Sequence, residues 1–248
     1  MKIVIVTLLI LYFLFLVISR TPARLGASML REAVPNLWLT GVTGTLWDGR
    51  ASGAQIDIGN SALPLGEVRW QLNPMSLFVL NPCVSFSTEY PGQNAAGELC
   101  QSLGGTTRVK NASVNGSVGI LSELIPDASI GGRASLQVVE GEFSGTEIHK
   151  LNAQLSWEQA AVNVMDRWLN FGSYAAKINE NQGGGIHAKV FDLKGPYKID
   201  FDANWVAASG WKAEGTVIPG PEADPDVQQG LQVVGEEVEQ NTYKIIWP

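Results

Sequence analysis

Cysteine and histidine are nearly missing from this chain of 248 residues, which has two of each. Cys83 and Cys100 form no Cys-x-x-Cys pair, which excludes the usual thiol-exchange arrangement. With His149 and His187 scattered far from them, no close-spaced zinc pattern exists either. Charge is sparse at 17 %, and the net charge of −7 removes the basic footprint that nucleic-acid phosphates require. The glycine cluster Gly183-Gly184-Gly185 has no following lysine and reads as a turn between strands, not a phosphate cradle. Glu140 and Glu142 flank Gly141 on one face of a strand, whereas glycoside chemistry needs two carboxylates opposed across a cleft. The expectation is a non-enzyme with no catalytic residues, no cofactor and no metal. Basic residues are also absent from Ala213 to Tyr243 while acids recur, so that stretch reads as a solvated acidic face or loose tail.

What the chain does have is an apolar beginning. After Lys2, no charge interrupts the run from Ile3 to Ser19, and Arg20, Arg24 and Arg31 follow it. A spanning helix can manage with about 17 residues, whereas the apolar core of a cleavable signal has about 7 to 15. The run reads as an uncleaved transmembrane anchor, with a removed signal ending near Ser28 as the other reading open at this point. Basic residues on both sides leave orientation undecided by the positive-inside tendency. The cysteines tip it: a lone pair, Cys83 and Cys100, suits one disulfide in an exported domain, with two free buried thiols as the alternative. The bulk of the chain is therefore expected outside the cytoplasm, in a periplasm if the source is Gram-negative.

The remainder alternates. Tyr197, Ile199, Phe201, Ala203 and Trp205 are separated by polar residues, and Trp211, Ala213, Gly215 and Val217 follow a short polar turn, which predicts a β-hairpin with one apolar face. A second hairpin is predicted from Tyr174–Asn179 and Ile186–Val190 around Asn181–Gly185. Leu151–Trp157 and Val68–Leu72 read as further half-buried strands. Short helices are expected at Ala27–Ala33, Gln93–Leu103, Ser122–Ile125 and Pro225–Val234. Ser52-Gly53 and Ser144-Gly145 open weakly similar stretches leading to Trp70 and Trp157, an echo that duplication or shared hairpin chemistry explains equally.

The fold class is thus mainly β: an N-terminal transmembrane helix followed by an elongated antiparallel meander with a few short helices. Residues 1–20 form the anchor, 21–36 a membrane-proximal connector, 37–218 the β-rich domain and 219–248 a Pro-rich acidic segment. Eight tryptophans are present, and those on alternating faces belong to the core first. Trp168 lies where alternation breaks and is the candidate for an exposed partner contact.

From Leu39 to Ala51 the chain reads Leu-Thr-Gly-Val-Thr-Gly-Thr-Leu-Trp-Asp-Gly-Arg-Ala, and from Glu67 to Leu77 Glu-Val-Arg-Trp-Gln-Leu-Asn-Pro-Met-Ser-Leu. With Gly41, Gly44, Thr45, Trp47 and Gly49 in the first stretch, and Trp70, Asn73 and Pro74 in the second, it resembles the type II secretion system protein N family. The resemblance implies an inner-membrane component of the machine that moves folded proteins out of the periplasm, with other secretion subunits as partners and no catalytic residues to carry over. The family also looks distantly like proteins whose greasy β-grooves handle lipids, which implies the runner-up function. Nucleic acid is expected in neither case.

Overall fold

In the computed structural model the described residues are Ile5, Leu16, 19–58, 61–124, 129–164 and 166–247. The anchor expected over residues 1–20 lies almost wholly outside them, and among the described residues no helix is long and apolar enough to cross a membrane. The chain is mainly β and divides into two compact units. The first comprises Met1–Asn94 with Glu98–Cys100, and the second Ala95–Gly97 with Gln101–Pro248.

In the first unit, helix α1 (Ala23–Ala33) precedes β1 (Leu37–Thr40), β2 (Thr43–Gly44), β3 (Asp48–Ile58) and β4 (Ser61–Leu72). A short helix α2 (Pro74–Phe78) then leads to β5 (Cys83–Tyr90), and β6 (Gln93–Gln101) contributes Cys100. Pairing is antiparallel in the order β1-β3-β4-β5, with β2 also on β3. The segment Gln93–Gln101 is therefore a strand, not the start of a helix. Its alanines and glutamine suit a helix locally, but strand pairing and the Cys100 cross-link override that weak preference.

In the second unit, β7 (Thr106–Ser117) and a 3₁₀ helix (Val118–Leu124) lead into β8 (Ser129–Ser144), β9 (Glu147–Val164) and β10 (Arg167–Glu180). They are followed by β11 (Ile186–Lys194), β12 (Tyr197–Val206) and β13 (Gly210–Pro219). Helix α3 (Pro225–Val234), β14 (Glu236–Glu239) and β15 (Thr242–Trp247) end the chain. Each of β7 to β12 pairs with the next in sequence, after which the order is β13-β15-β14. Both hairpins expected from alternation form, with Trp205 opposite Trp211 in one and Ile178 opposite Ala188 in the other. Asn181 explains the tight β10–β11 turn: its Oδ1 accepts from the backbone N–H of Gly183 and of Gly185, both at 2.9 Å.

The acidic C-terminal segment is tied down rather than loose. Leu231 and Tyr243 are buried with Tyr197 and Val217, and Arg167 reaches Asp224 and Asp226 at 3.1 and 2.5 Å. The carboxylates of Glu214, Glu222, Glu236, Glu237 and Glu239 are exposed and keep the solvated character that composition suggested. The echo is not structural: Ser52-Gly53 sits inside β3, whereas Ser144-Gly145 crosses the β8–β9 turn.

Candidate functional site

The two signature stretches, well separated in sequence, fold into one corner of the first unit. Thr45 closes the β2–β3 turn, its N–H donating to the Asp48 carbonyl at 2.8 Å while its Oγ1 accepts from the Asp48 N–H at 3.1 Å. Gly41 and Gly44 hold φ of +62° and +88°, a region that side chains rarely enter. Gly49 has an ordinary φ, and its role is different: it faces Trp70 across the strand pair, and a Cβ there would sit well inside contact distance of the indole ring. Trp70 Nε1 donates to the Leu46 carbonyl at 3.2 Å, and the Leu72 N–H to the Trp47 carbonyl at 2.8 Å. Asn73 caps α2, accepting from the Met75 N–H at 3.0 Å, with Pro74 at the first helical position where its missing N–H is harmless.

This corner borders an apolar cavity of about 380 Å³. Gly26, Ala27 and Leu30 of α1 cover it on one side, and Leu37 and Leu39 of β1 border it. Its floor is the inner face of β4 and β5, where Val68, Trp70 and Leu72 stand beside Val84 and Phe86. None of these side chains is fully buried; among the described residues, the buried apolar ones of this unit are Ala23, Ala51, Ala54 and Cys100. Large apolar groups thus line a space instead of filling one. That volume falls in the range of about 300–1,000 Å³ typical of ligand sites. The opposite face of β4 is charged: Glu67 lies 2.5 Å from Arg50 and 2.6 Å from Arg69. Arg69 foremost, with Arg50, holds the Glu67 carboxyl below its ordinary range.

The Cys83–Cys100 disulfide joins β5 to β6 within this unit. Cys83, Glu98 and Cys100 are the one metal-like grouping among the described residues, but both sulfurs are committed to each other, which leaves a single carboxylate. The acids and bases considered from sequence do not converge. Glu142 binds Arg108 at 3.0 Å and Glu140 binds Lys150 at 2.8 Å, so each is engaged by its own cation. The Arg108 guanidinium accordingly holds the Glu142 carboxyl below its usual range. His187 lies 3.1 Å from Asp202, which Lys189 also binds at 2.8 Å, and His149 stands 4.0 Å from Glu147. In the second unit Trp168 is 55 % exposed, its ring lying over Gly131. Trp38, Trp211 and Trp247 are exposed as well, and for Trp211 this goes against the expectation that tryptophans on alternating faces belong to the core: a sheet face that is not covered leaves its apolar positions in solvent.

Sequence reasoning missed two features. The cavity went unseen because alternation marks an apolar face without showing whether that face is covered. The hairpin tip between β4 and β5, where Met75, Phe78, Val79 and Leu80 are exposed, was legible only as the uncharged stretch from Gln71 to Thr88.

No solved structure matches this chain. A curated relative named "Type II secretion system protein N", from Aeromonas hydrophila, is 24 % identical over 250 residues, covering 95 % of this chain and 93 % of its own length. The family model described as type II secretion system, protein N, matches residues 35–246, which takes in both signature stretches, the cavity floor and nearly all of the second unit. The chain belongs to the type II secretion system protein N family.

Proposed function

We propose that this protein is a non-enzymatic subunit of the type II secretion machine, held in the inner membrane by residues 1–20 with both β units in the periplasm. The observation that carries the reading is the Cys83–Cys100 disulfide in a chain of this family, since such a bond persists in an exported compartment and not among cytosolic reductants. The apolar run from Ile3 to Ser19 supports attachment. Partners are other inner-membrane or periplasmic subunits, engaged through distributed apolar contacts, for which Trp168 is the most probing single residue.

Deleting the protein is expected to leave secreted substrates folded in the periplasm and to lower their release. Trp168→Ala is expected to reduce release and subunit co-purification while changing stability by about 0.5 kcal/mol or less, as for a surface substitution. Release unchanged in the deletion strain, with all other subunits present, sinks the proposal. A single Asp, Glu or His substitution that abolishes release while fold and assembly persist reopens an enzymatic role.

One observation favours the runner-up, a lipid-handling groove: the cavity under α1 has a nearly wholly apolar lining. On that reading the full chain, extracted in mild detergent, carries a lipid-sized adduct in native mass spectrometry. Ala27→Phe, which projects bulk into the cavity, removes that adduct. A bare wild-type mass ends this reading without touching the first.

A further inference from the structure

The turn between β4 and β5 breaks the rule that loop tips are polar. Phe78 is 82 % exposed, and Met75, Leu77, Val79 and Leu80 stand in solvent beside it. No Asp, Glu, Lys or Arg occurs from Gln71 to Thr88. Leu80 holds φ of +55°, where turn chemistry favours glycine or asparagine, yet the position carries a branched apolar side chain. Exposed apolar area of this kind marks a surface that meets another apolar phase.

Two features identify the phase as lipid. The first is how the tip satisfies its backbone. The Ser76 N–H donates to the Asn73 carbonyl, Leu80 to Leu77 and Asn81 to Ser76, while the Met75 N–H is taken by the Asn73 side chain and the Cys83 N–H by Ser76 Oγ. A segment entering hydrocarbon must meet its backbone polar groups internally, because no water there will do so; among the side chains of the tip, Asn81 Oδ1 is buried at its base without a hydrogen-bond partner. The tip also lacks Trp, Tyr and Arg, the residues that dominate protein–protein hot spots.

The second is position. The Leu46 N–H donates to the Thr21 carbonyl at 2.8 Å and Pro22 bridges Thr45, while the Leu72 N–H donates to the Trp47 carbonyl at 2.8 Å. The start of α1, the β2–β3 turn and the base of the tip are therefore laced together. The chain passes from its apolar run into Arg20 and Thr21 at the same end of the unit from which the tip projects. Arg20 and Arg24 are exposed at that end, with Asp48 as the acid of the corner, and cations so placed complement anionic lipid headgroups.

We propose that the hairpin tip, residues 74–82, inserts into the bilayer leaflet that receives the N-terminal run, so that the first unit is fixed to the membrane at two adjacent points. The inference rests on the anchor reading of residues 3–19, and its test separates the two. A benzophenone-bearing phenylalanine analogue is placed in the full chain, in native membranes, at position 78, at position 12 within the run, or at position 233, where Val233 of the second unit is 81 % exposed. After irradiation, a mass increase of one phospholipid at 78 and at 12, and none at 233, supports the proposal. Labelling at 12 without labelling at 78, protein adducts at 78, or lipid labelling equal at 78 and 233 overturns it. Labelling at 78 without labelling at 12 overturns the anchor reading and with it the two-point attachment, the tip alone then being the membrane contact.

Discussion

Replacing Cys83 and Cys100 together by serine is expected to destabilise the first unit by about 3 kcal/mol, the loop-closure value for a cross-link of this span. The two cysteines are 17 residues apart in sequence, and their bond is the one covalent tie in a unit whose buried apolar residues, among those described, are otherwise alanines. For a unit of roughly a hundred residues that loss corresponds to a fall in Tm of roughly 10–20 °C. The loss has a local signature. Cys83 takes the Asn73 N–H on its carbonyl and gives its own to Ser76 Oγ, both at 2.9 Å, so the base of the apolar tip loosens with the bond. Hydrogen exchange on the variant is expected to show protection lost at 73–83 and along β5, with β8–β9 of the second unit unchanged. Reduced wild type should match the variant, which separates the cross-link from any packing change at buried Cys100. An unchanged Tm, or protection lost equally in both units, shows that the bond is incidental to folding.

How the family resemblance maps onto physics follows from that corner. The first stretch supplies a turn shaped by Gly41 and Gly44 and closed by Thr45; the second supplies Trp70, which lies on Gly49, and Asn73 with Pro74, which start the tip. Two motifs that look like separate signatures are the two halves of one contact. That contact sets the floor of the cavity and the base of the exposed apolar tip.

Much of this was legible in the sequence where the signal is periodic. Alternation located the β10–β11 and β12–β13 hairpins with their turns, and the short helix expected over Pro225–Val234 forms as α3, capped by Asp224, which accepts the Asp226 N–H at 2.9 Å. The segment Gln93–Gln101 misled because alanine, glutamine and glutamate favour helices locally, while its strand state comes from sheet pairing and a cross-link that local propensity does not report. The cavity was not legible for a related reason. Whether Val68, Trp70, Val84 and Phe86 meet a second layer depends on α1, whose contribution to the lining is small: Gly26 and Ala27 with one leucine. The exposed tryptophans tell the same story, since period-two patterning reports two faces but not what each one touches.

Gly49→Ala is expected to be the most damaging of the three glycine substitutions in the β2–β3 region, and the structure gives the order. At Gly41 the added methyl meets the Ser52 side chain, which can rotate away, so the main penalty is the φ of +62°, about 1 kcal/mol. At Gly44 the φ of +88° is joined by the Asp48 carbonyl at 2.5 Å, a backbone atom that cannot yield, so the loss is about 2 kcal/mol. At Gly49 the methyl enters the Trp70 indole, lying 2.8 Å from Nε1 and closer to the benzo edge. Forcing the ring away costs about 1–3 kcal/mol as overpacking. It also breaks the Nε1 bond to the Leu46 carbonyl, worth about 1 kcal/mol more. A double-mutant cycle makes the cause testable. With Trp70→Leu already in place, the ring is gone and Gly49→Ala should become neutral or stabilising, because alanine is the better strand residue by about 0.5–1 kcal/mol. Chemical denaturation of the four proteins measures the coupling. A Gly49→Ala penalty of the same size in both backgrounds means that the ring over the glycine is not what position 49 serves, and the link drawn here between the two family signatures fails with it.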